Sequence, residues 1–446
     1  MKNTREIILN ILNESIEDLN FQKNTIDNYL ANIENQNDIS LIKETVYGIV
    51  KNLTLIDDII DKYSKIKIRK LHKVVLNCLR IGIYQLFYLD RVPSYAIIND
   101  CVNLVKKYTH LGNANFVNAI LRKIDIDKIK IKENYSKLNL IESNLALLYS
   151  FPEYIVKKWV CDYGFEFTQQ LLYSLNSKPK LNIRTNTLKI TRDNLKDLLI
   201  KKGYDLEETK YSSVGLVVNN PANLFKTLEF TNGYFTVQDE SSMLVTEIAD
   251  PKVKTLILDM CAAPGGKSTH IAEYLRDDAI IIARDKSSKK VQLINQNIDR
   301  LKLKSIRTEI FDATKLDDKL INKIDYCFVD APCSGLGLIR RKPDIKWNRT
   351  KESIEELIKL QSEILDVASK YVKIDGELIY STCTINNDEN IKQIRNFLAT
   401  HQNYILVEFD NRFHKLFNTA KDGYVQLFPN IHGTDGFFIA KLKRVD

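Results

Sequence analysis

Apolar side chains recur at helical spacing through residues 1 to about 126, the pattern of amphipathic helices packed in a bundle. Thr4 stands as an N-cap before Ile7, Ile8, Ile11, Leu12 and Ile16, which share one face. Residues 41–60, 71–89 and 95–108 repeat the period, with Pro93-Ser94 breaking the chain and capping the last of them. Gly112-Asn113-Ala114 precedes a helix over 116–123 that has an apolar face and a basic end. Residues 127–180 read as a helical connector: a charged run over 128–137, apolar positions over 138–148, then Ser150-Phe151-Pro152-Glu153 and an amphipathic helix through Trp159. The period changes at 181. Residues 181–186 alternate like a strand, 192–202 read as a helix and 215–218 as a strand, giving a small α+β module over 181–247. From 248 to 446 strands and helices alternate, the sign of a parallel sheet covered on both faces. Its strands are predicted near 255–260, 279–284, 305–311, 326–330, 376–381, 404–409 and 436–442.

A chain of 446 residues is too long for one core, in keeping with several domains. No apolar run approaches the roughly 18–20 residues that span a bilayer, and the N-terminus has no signal-type segment. A cytoplasmic protein with no membrane partner is expected. The seven cysteines are scattered and never spaced C-x-x-C, which argues against a disulfide framework and a zinc ribbon. No metal site is expected. A net charge of +8 permits a nucleic-acid partner without requiring one.

The chemistry gathers where strands end, the place at which open α/β sheets bind ligands. The apolar run before Asp259 leads into Cys261, Ala262, Ala263, Pro264, Gly265, Gly266 and Lys267. This is a strand, a glycine turn and a helix start, an arrangement suited to a nucleotide-like ligand. It lacks the G-x-G-x-x-G form of nicotinamide enzymes. Asp285 follows the second strand, 19 residues beyond Gly266, close to the roughly 20-residue spacing of an acid that holds ribose hydroxyls. Asp312 follows the third. The fourth ends in Asp330-Ala331-Pro332-Cys333 and the fifth in Ser381-Thr382-Cys383, so a carboxylate and two thiols are expected around one pocket. Spacing alone does not say which thiol would attack.

These motifs together resemble the RsmB (Sun) type of ribosomal RNA cytosine-C5 methyltransferase, within the NOL1/NOP2/Sun group. Residues 237–242 (Val-Gln-Asp-Glu-Ser-Ser) and 433–438 (Gly-Thr-Asp-Gly-Phe-Phe) belong to the same pattern, and the helical N-terminus resembles the NusB-like RNA-binding domain. The resemblance implies an all-α NusB-like bundle (1–126), the connector (127–180), an α+β RNA-binding module (181–247) and a Rossmann-like class I methyltransferase domain (248–446). It implies S-adenosylmethionine held by residues 261–267, Asp285, Asp312 and Asp330. Cys383 would be the nucleophile and Cys333 would assist product release. The target would be a loop cytosine of 16S ribosomal RNA, not DNA, met by a monomer before the subunit is assembled. Transfer RNA is the nearest alternative substrate, and a non-catalytic RNA-binding factor the alternative class. Arg284 departs from the family pattern, which has an apolar residue there. Residues 340–347 (Arg-Arg-Lys-Pro-Asp-Ile-Lys-Trp) are expected to offer cations and an aromatic surface to RNA.

Overall fold

The structure is a computed structural model that describes residues 4–15, 23–31, 33–90, 92–139 and 141–446. It forms two compact units: Met1–Asn176 with Lys342–Asn348, and Ser177–Arg341 with Arg349–Asp446. No helix among the described residues is long and apolar enough to cross a membrane.

The first unit is helical: α1 (Thr4–Ser15), α2 (Lys23–Leu30), α3 (Gln36–Lys51), α4 (Leu53–Tyr63), α5 (Lys73–Tyr88), α6 (Ser94–Tyr108), α7 (Leu111–Ile126), α8 (Lys128–Ser136), α9 (Glu142–Leu148), α10 (Glu153–Tyr163) and α11 (Phe165–Asn176). Of the predicted stripe of α1, Ile8, Ile11 and Leu12 are fully covered and Ile7 is half-buried, while Leu9, outside the predicted stripe, is also fully covered; Ile16 lies outside the described residues. Several predicted ends move. Thr4 is helical, the first of the described residues, and not a cap, and its hydroxyl donates to Asp38. The single helix read over 41–60 is two, divided at Asn52, whose side-chain amide donates back to the Gly48 carbonyl. Pro93, not Ser94, occupies the cap of α6, and the Ser94 hydroxyl goes to Asp125 instead. Gly112 to Ala114 are inside α7, with Gly112 exposed and Ala114 buried against the bundle.

The second unit opens with a four-stranded antiparallel sheet, order β2-β3-β1-β4: β1 (Leu181–Thr185), β2 (Leu206–Glu208), β3 (Gly215–Val218) and β4 (Phe235–Val237). It carries α12 (Arg192–Lys201) and the short α13 (Leu228–Thr231). β2 and β4 were not predicted; at three residues each they are too short to show a period.

The chain continues through α14 (Glu240–Ala249), β5 (Leu256–Asp259), α15 (Gly266–Tyr274), β6 (Ile280–Asp285), α16 (Ser288–Leu301), β7 (Ile306–Ile310) and β8 (Ile324–Asp330). Then come the short α17 (Ile345–Asn348), α18 (Lys351–Tyr371), β9 (Val372–Thr382), α19 (Ile391–Thr400), β10 (Tyr404–Leu406), β11 (Tyr424–Leu427) and β12 (Phe437–Arg444). β5 to β12 form one sheet, order β10-β12-β9-β8-β5-β6-β7, with β11 beside β12. Side chains alternate between its two faces. Ile257, Phe328 and Ile379 enter one apolar layer; Leu258, Cys327, Val329 and Leu378 enter the other. The predicted all-parallel sheet is corrected at one edge. β7-β6-β5-β8-β9 are parallel, but β12 runs antiparallel to β9, β10 and β11. The link from β11 to β12 is shorter than the dozen or so residues of a parallel crossover, and suits an antiparallel return.

Candidate active site

Parallel pairing sets Asp330 beside Ser381 at the ends of β8 and β9. The two cysteines leave those strands three and two residues later, and the loops bring Cys333 Sγ to 3.2 Å from Cys383 Sγ. The Gly337 amide donates to the Cys383 carbonyl, 3.1 Å. A side chain at Gly337 is impossible: a Cβ there would lie 1.9 Å from the Gly436 carbonyl oxygen. Asp330 accepts from Lys267 Nζ at 2.5 Å and from the Ser381 hydroxyl at 2.9 Å. The hydrogen bond to Cys383, then burial, then the charges of Cys383, Glu389 and Asp330, push the Cys333 thiol well above its ordinary pKa.

Beside the thiols lies the glycine turn. Gly265 has φ of 97° and caps α15, a backbone that disfavours any side chain. A Cβ on Gly266 would meet only Gln238 Nε2, at 3.7 Å, so a ligand can approach the backbone there. Arg184 of β1, fully buried, holds this turn from beneath. It donates to Gly266 O (2.7 Å), Thr269 Oγ1 (3.1 Å) and both Glu273 oxygens (2.9 and 3.0 Å). Asp285 is buried and accepts from the Ser287 amide; Asp312 is exposed and accepts from Thr314, which holds its carboxyl below the usual range. Two cavities meet here. One, about 190 Å³, includes Asp285, Phe311, Asp312 and Pro332 in its wall. The other, about 430 Å³, includes Gln238, Asp259, Lys267 and Cys383. Cys261, Ala263 and Asp330 line both. Burial pushes the Cys261 thiol up, so it stays protonated.

The family models that match are "16S rRNA methyltransferase RsmB/F" over residues 246–443, the "NusB family" over 2–125 and a "Methyltr_RsmF/B-like, ferredoxin-like domain" over 151–224. A Bacillus subtilis protein named "Probable ribosomal RNA small subunit methyltransferase B" is 36% identical over 415 residues, 91% of this chain and 90% of that one. The chain belongs to this RsmB family of S-adenosylmethionine-dependent methyltransferases. The crystal structure of PH0851 shares the fold over 100% of this chain and 99% of its own, with a TM-score of 0.80 at 24% identity. NSun6 from Pyrococcus horikoshii, solved with SFG, an S-adenosylmethionine analogue, aligns with TM-score 0.59 at 26% identity, over 66% of this chain and 99% of its own.

Within this RsmB-family chain the two outer motifs meet through arginines. Arg341 bridges Asp239 and Asp435, and Arg340 pairs with Asp435 at 2.6 Å. That corrects the reading of residues 340–347 as an RNA-facing basic surface. Both arginines are neutralised, Lys346 is fully buried, and the Trp347 indole donates to Val50 O at 2.9 Å. Lys342 alone of the four cations is exposed. Arg284 is also accommodated. It pairs with Glu309 and Asp317 and lies over Phe311, so β6 stays buried around a neutralised cation. Sequence reasoning passed over Asp259. It ends β5, is fully buried, accepts from the Ser268 hydroxyl at 2.6 Å, and its Oδ1 has no hydrogen-bond partner. Its place between an apolar strand and the glycine turn was the available signal.

Proposed function

We propose that this protein methylates carbon 5 of a loop cytosine in 16S ribosomal RNA before subunit assembly is complete, with Cys383 as nucleophile. The contact between the two thiols, next to the carboxylate that lines both cavities, is the observation that carries this reading.

The residues fit the cofactor. The Gly265–Gly266 turn leaves its backbone open, Asp285 is a buried acceptor for ribose hydroxyls, Asp312 suits an adenine amino group, and Asp259 offers a free oxygen to a cationic group. When bound, S-adenosylmethionine supplies an electrophilic methyl group. Cytosine C5 is a weak nucleophile by itself. Addition of the Cys383 thiolate to C6 moves electron density onto C5. Asp330 hydrogen-bonds the protonated N3 edge and so stabilises the adduct, with Lys267 and Ser381 fixing its two oxygens. After methylation the C5 proton passes to a water molecule, its bonding pair re-forms the C5–C6 double bond, and the C6–S bond breaks to expel the Cys383 thiolate. Cys333, whose thiol is protonated, assists by giving its proton to the departing sulfur. A paired base would first have to unstack, at about a few kcal/mol, which favours a loop. The helical N-terminal domain and the α+β module bind the RNA around it.

Bisulfite sequencing of total RNA from strains with and without the gene tests this. A single 16S cytosine should lose its methyl mark. Loss of a transfer RNA mark with 16S intact would move the substrate, and RNA binding without any methyl transfer would reduce the chain to a binding factor.

A further inference from the structure

Glu389 has no part in the chemistry above, yet it is fully buried and takes hydrogen bonds from both thiol loops. Its Oε1 accepts from the Ser334 amide (2.7 Å) and Gln361 Nε2 (3.1 Å). Its Oε2 accepts from the Ser334 hydroxyl (2.5 Å), the Thr384 hydroxyl (3.3 Å) and Asn386 Nδ2 (3.1 Å). Ser334 follows Cys333 and Thr384 follows Cys383, and their hydroxyls lie 2.8 Å apart. The other sides of the cysteines are also held. Gln361 donates to Pro332 O at 2.9 Å. Asn390 accepts from the Thr382 hydroxyl at 2.6 Å and donates to Thr384 O at 3.0 Å. A buried carboxylate costs several kcal/mol unless its lone pairs are filled; here the donors that fill them come largely from the residues flanking the two sulfurs.

We propose that Glu389 is the positioning residue of the thiol pair, tying the Cys333 loop to the Cys383 loop so that the sulfurs stay in contact. The inference rests on the reading of both thiols as reacting groups.

Diamide crosslinking tests it without RNA or cofactor. The two thiols lose two protons and two electrons to the N=N bond of diamide, which becomes the hydrazine, and an S–S bond forms. The experiment uses the full chain with Cys161→Ser, because Cys161 is exposed, and follows the 333–383 crosslinked peptide by mass spectrometry. Glu389→Ala should slow crosslinking by about tenfold or more and lower kcat by about as much, with KM for S-adenosylmethionine within about twofold, since misplacement of reacting groups is costly. Glu389→Gln should restore crosslinking to within about threefold, because the Ser and Thr hydroxyls can turn to match an amide. A folded Glu389→Ala variant that crosslinks at the wild-type rate overturns the proposal. If that variant does not fold, Ser334→Ala, which removes one hydroxyl of the bridge, serves in its place: slower crosslinking supports the proposal and an unchanged rate overturns it. Failure of the cytosine reading shows separately, as wild-type enzyme that leaves no 5-methylcytosine.

Discussion

A thiol in hydrogen-bond contact with a second sulfur, half-buried and with two carboxylates near, gives up its proton with difficulty. Under the proposed function that divides the labour within the pair, with Cys333 as the thiol that holds its proton and Cys383 as the nucleophile. The same physics acts on Asp259, where burial raises the carboxyl to about 6. In the unfolded chain it returns to about 3.9. The folded state therefore holds this proton more tightly. The stability it gives is present below about pH 4 and lost as pH rises through about 6, amounting to about 1 kcal/mol between pH 5 and 7.5. Asp259→Asn should gain that much over wild type on going from pH 5 to 7.5, seen in thermal melts, and should weaken S-adenosylmethionine binding. Equal melting differences at both pH values would contradict it. The thiols and Asp330 were legible because a reactive residue at a strand end is unusual. Asp259 and Glu389 were not, since an acid after an apolar run, or in a polar loop, looks like any solvated carboxylate until its burial is seen.

At the scale of elements, strand register does most of the positioning. Pairing of β8 with β9 places two loops side by side, and the alternation of β5, β8 and β9 between two apolar layers leaves their ends free to bind. Gly265 is where this arrangement is least forgiving. Gly265→Ala would hold a side chain at φ of 97° and bring its Cβ to 3.1 Å from Ile294 Cγ2. The variant should lose about 1–3 kcal/mol of stability and bind S-adenosylmethionine more weakly. Melting and titration calorimetry check this, and unchanged values in both would contradict it. The parallel strands were readable from apolar runs bounded by turn residues. β2, β4 and β11 were not, being too short for a period, and nothing in a strand's own pattern tells parallel from antiparallel.

At the scale of the molecule, the chain leaves the catalytic unit after Arg341 and completes the helical unit with Lys342–Asn348. Lys346 Nζ donates to Lys51 O (3.0 Å), Tyr149 O (3.1 Å) and Asn176 Oδ1 (2.7 Å), groups at the C-terminal ends of α3, α9 and α11. Such ends carry unfilled acceptors and partial negative charge. Lys346→Met removes the donor shared by these three groups, leaving Tyr149 O with the Asn176 amide, and should cost about 2–4 kcal/mol, measured as a lower melting temperature; no change would contradict it. A run of cations in sequence reads as an RNA surface, and only long-range packing shows that this one is largely internal.

The central claim is tested most directly by incubating Cys333→Ala with 16S RNA and S-adenosylmethionine and running a denaturing gel. A covalent protein–RNA band should appear and should vanish when Cys383→Ala is added to the same chain. A band formed by Cys383→Ala alone, or 5-methylcytosine made at full rate without Cys383, would contradict the assignment.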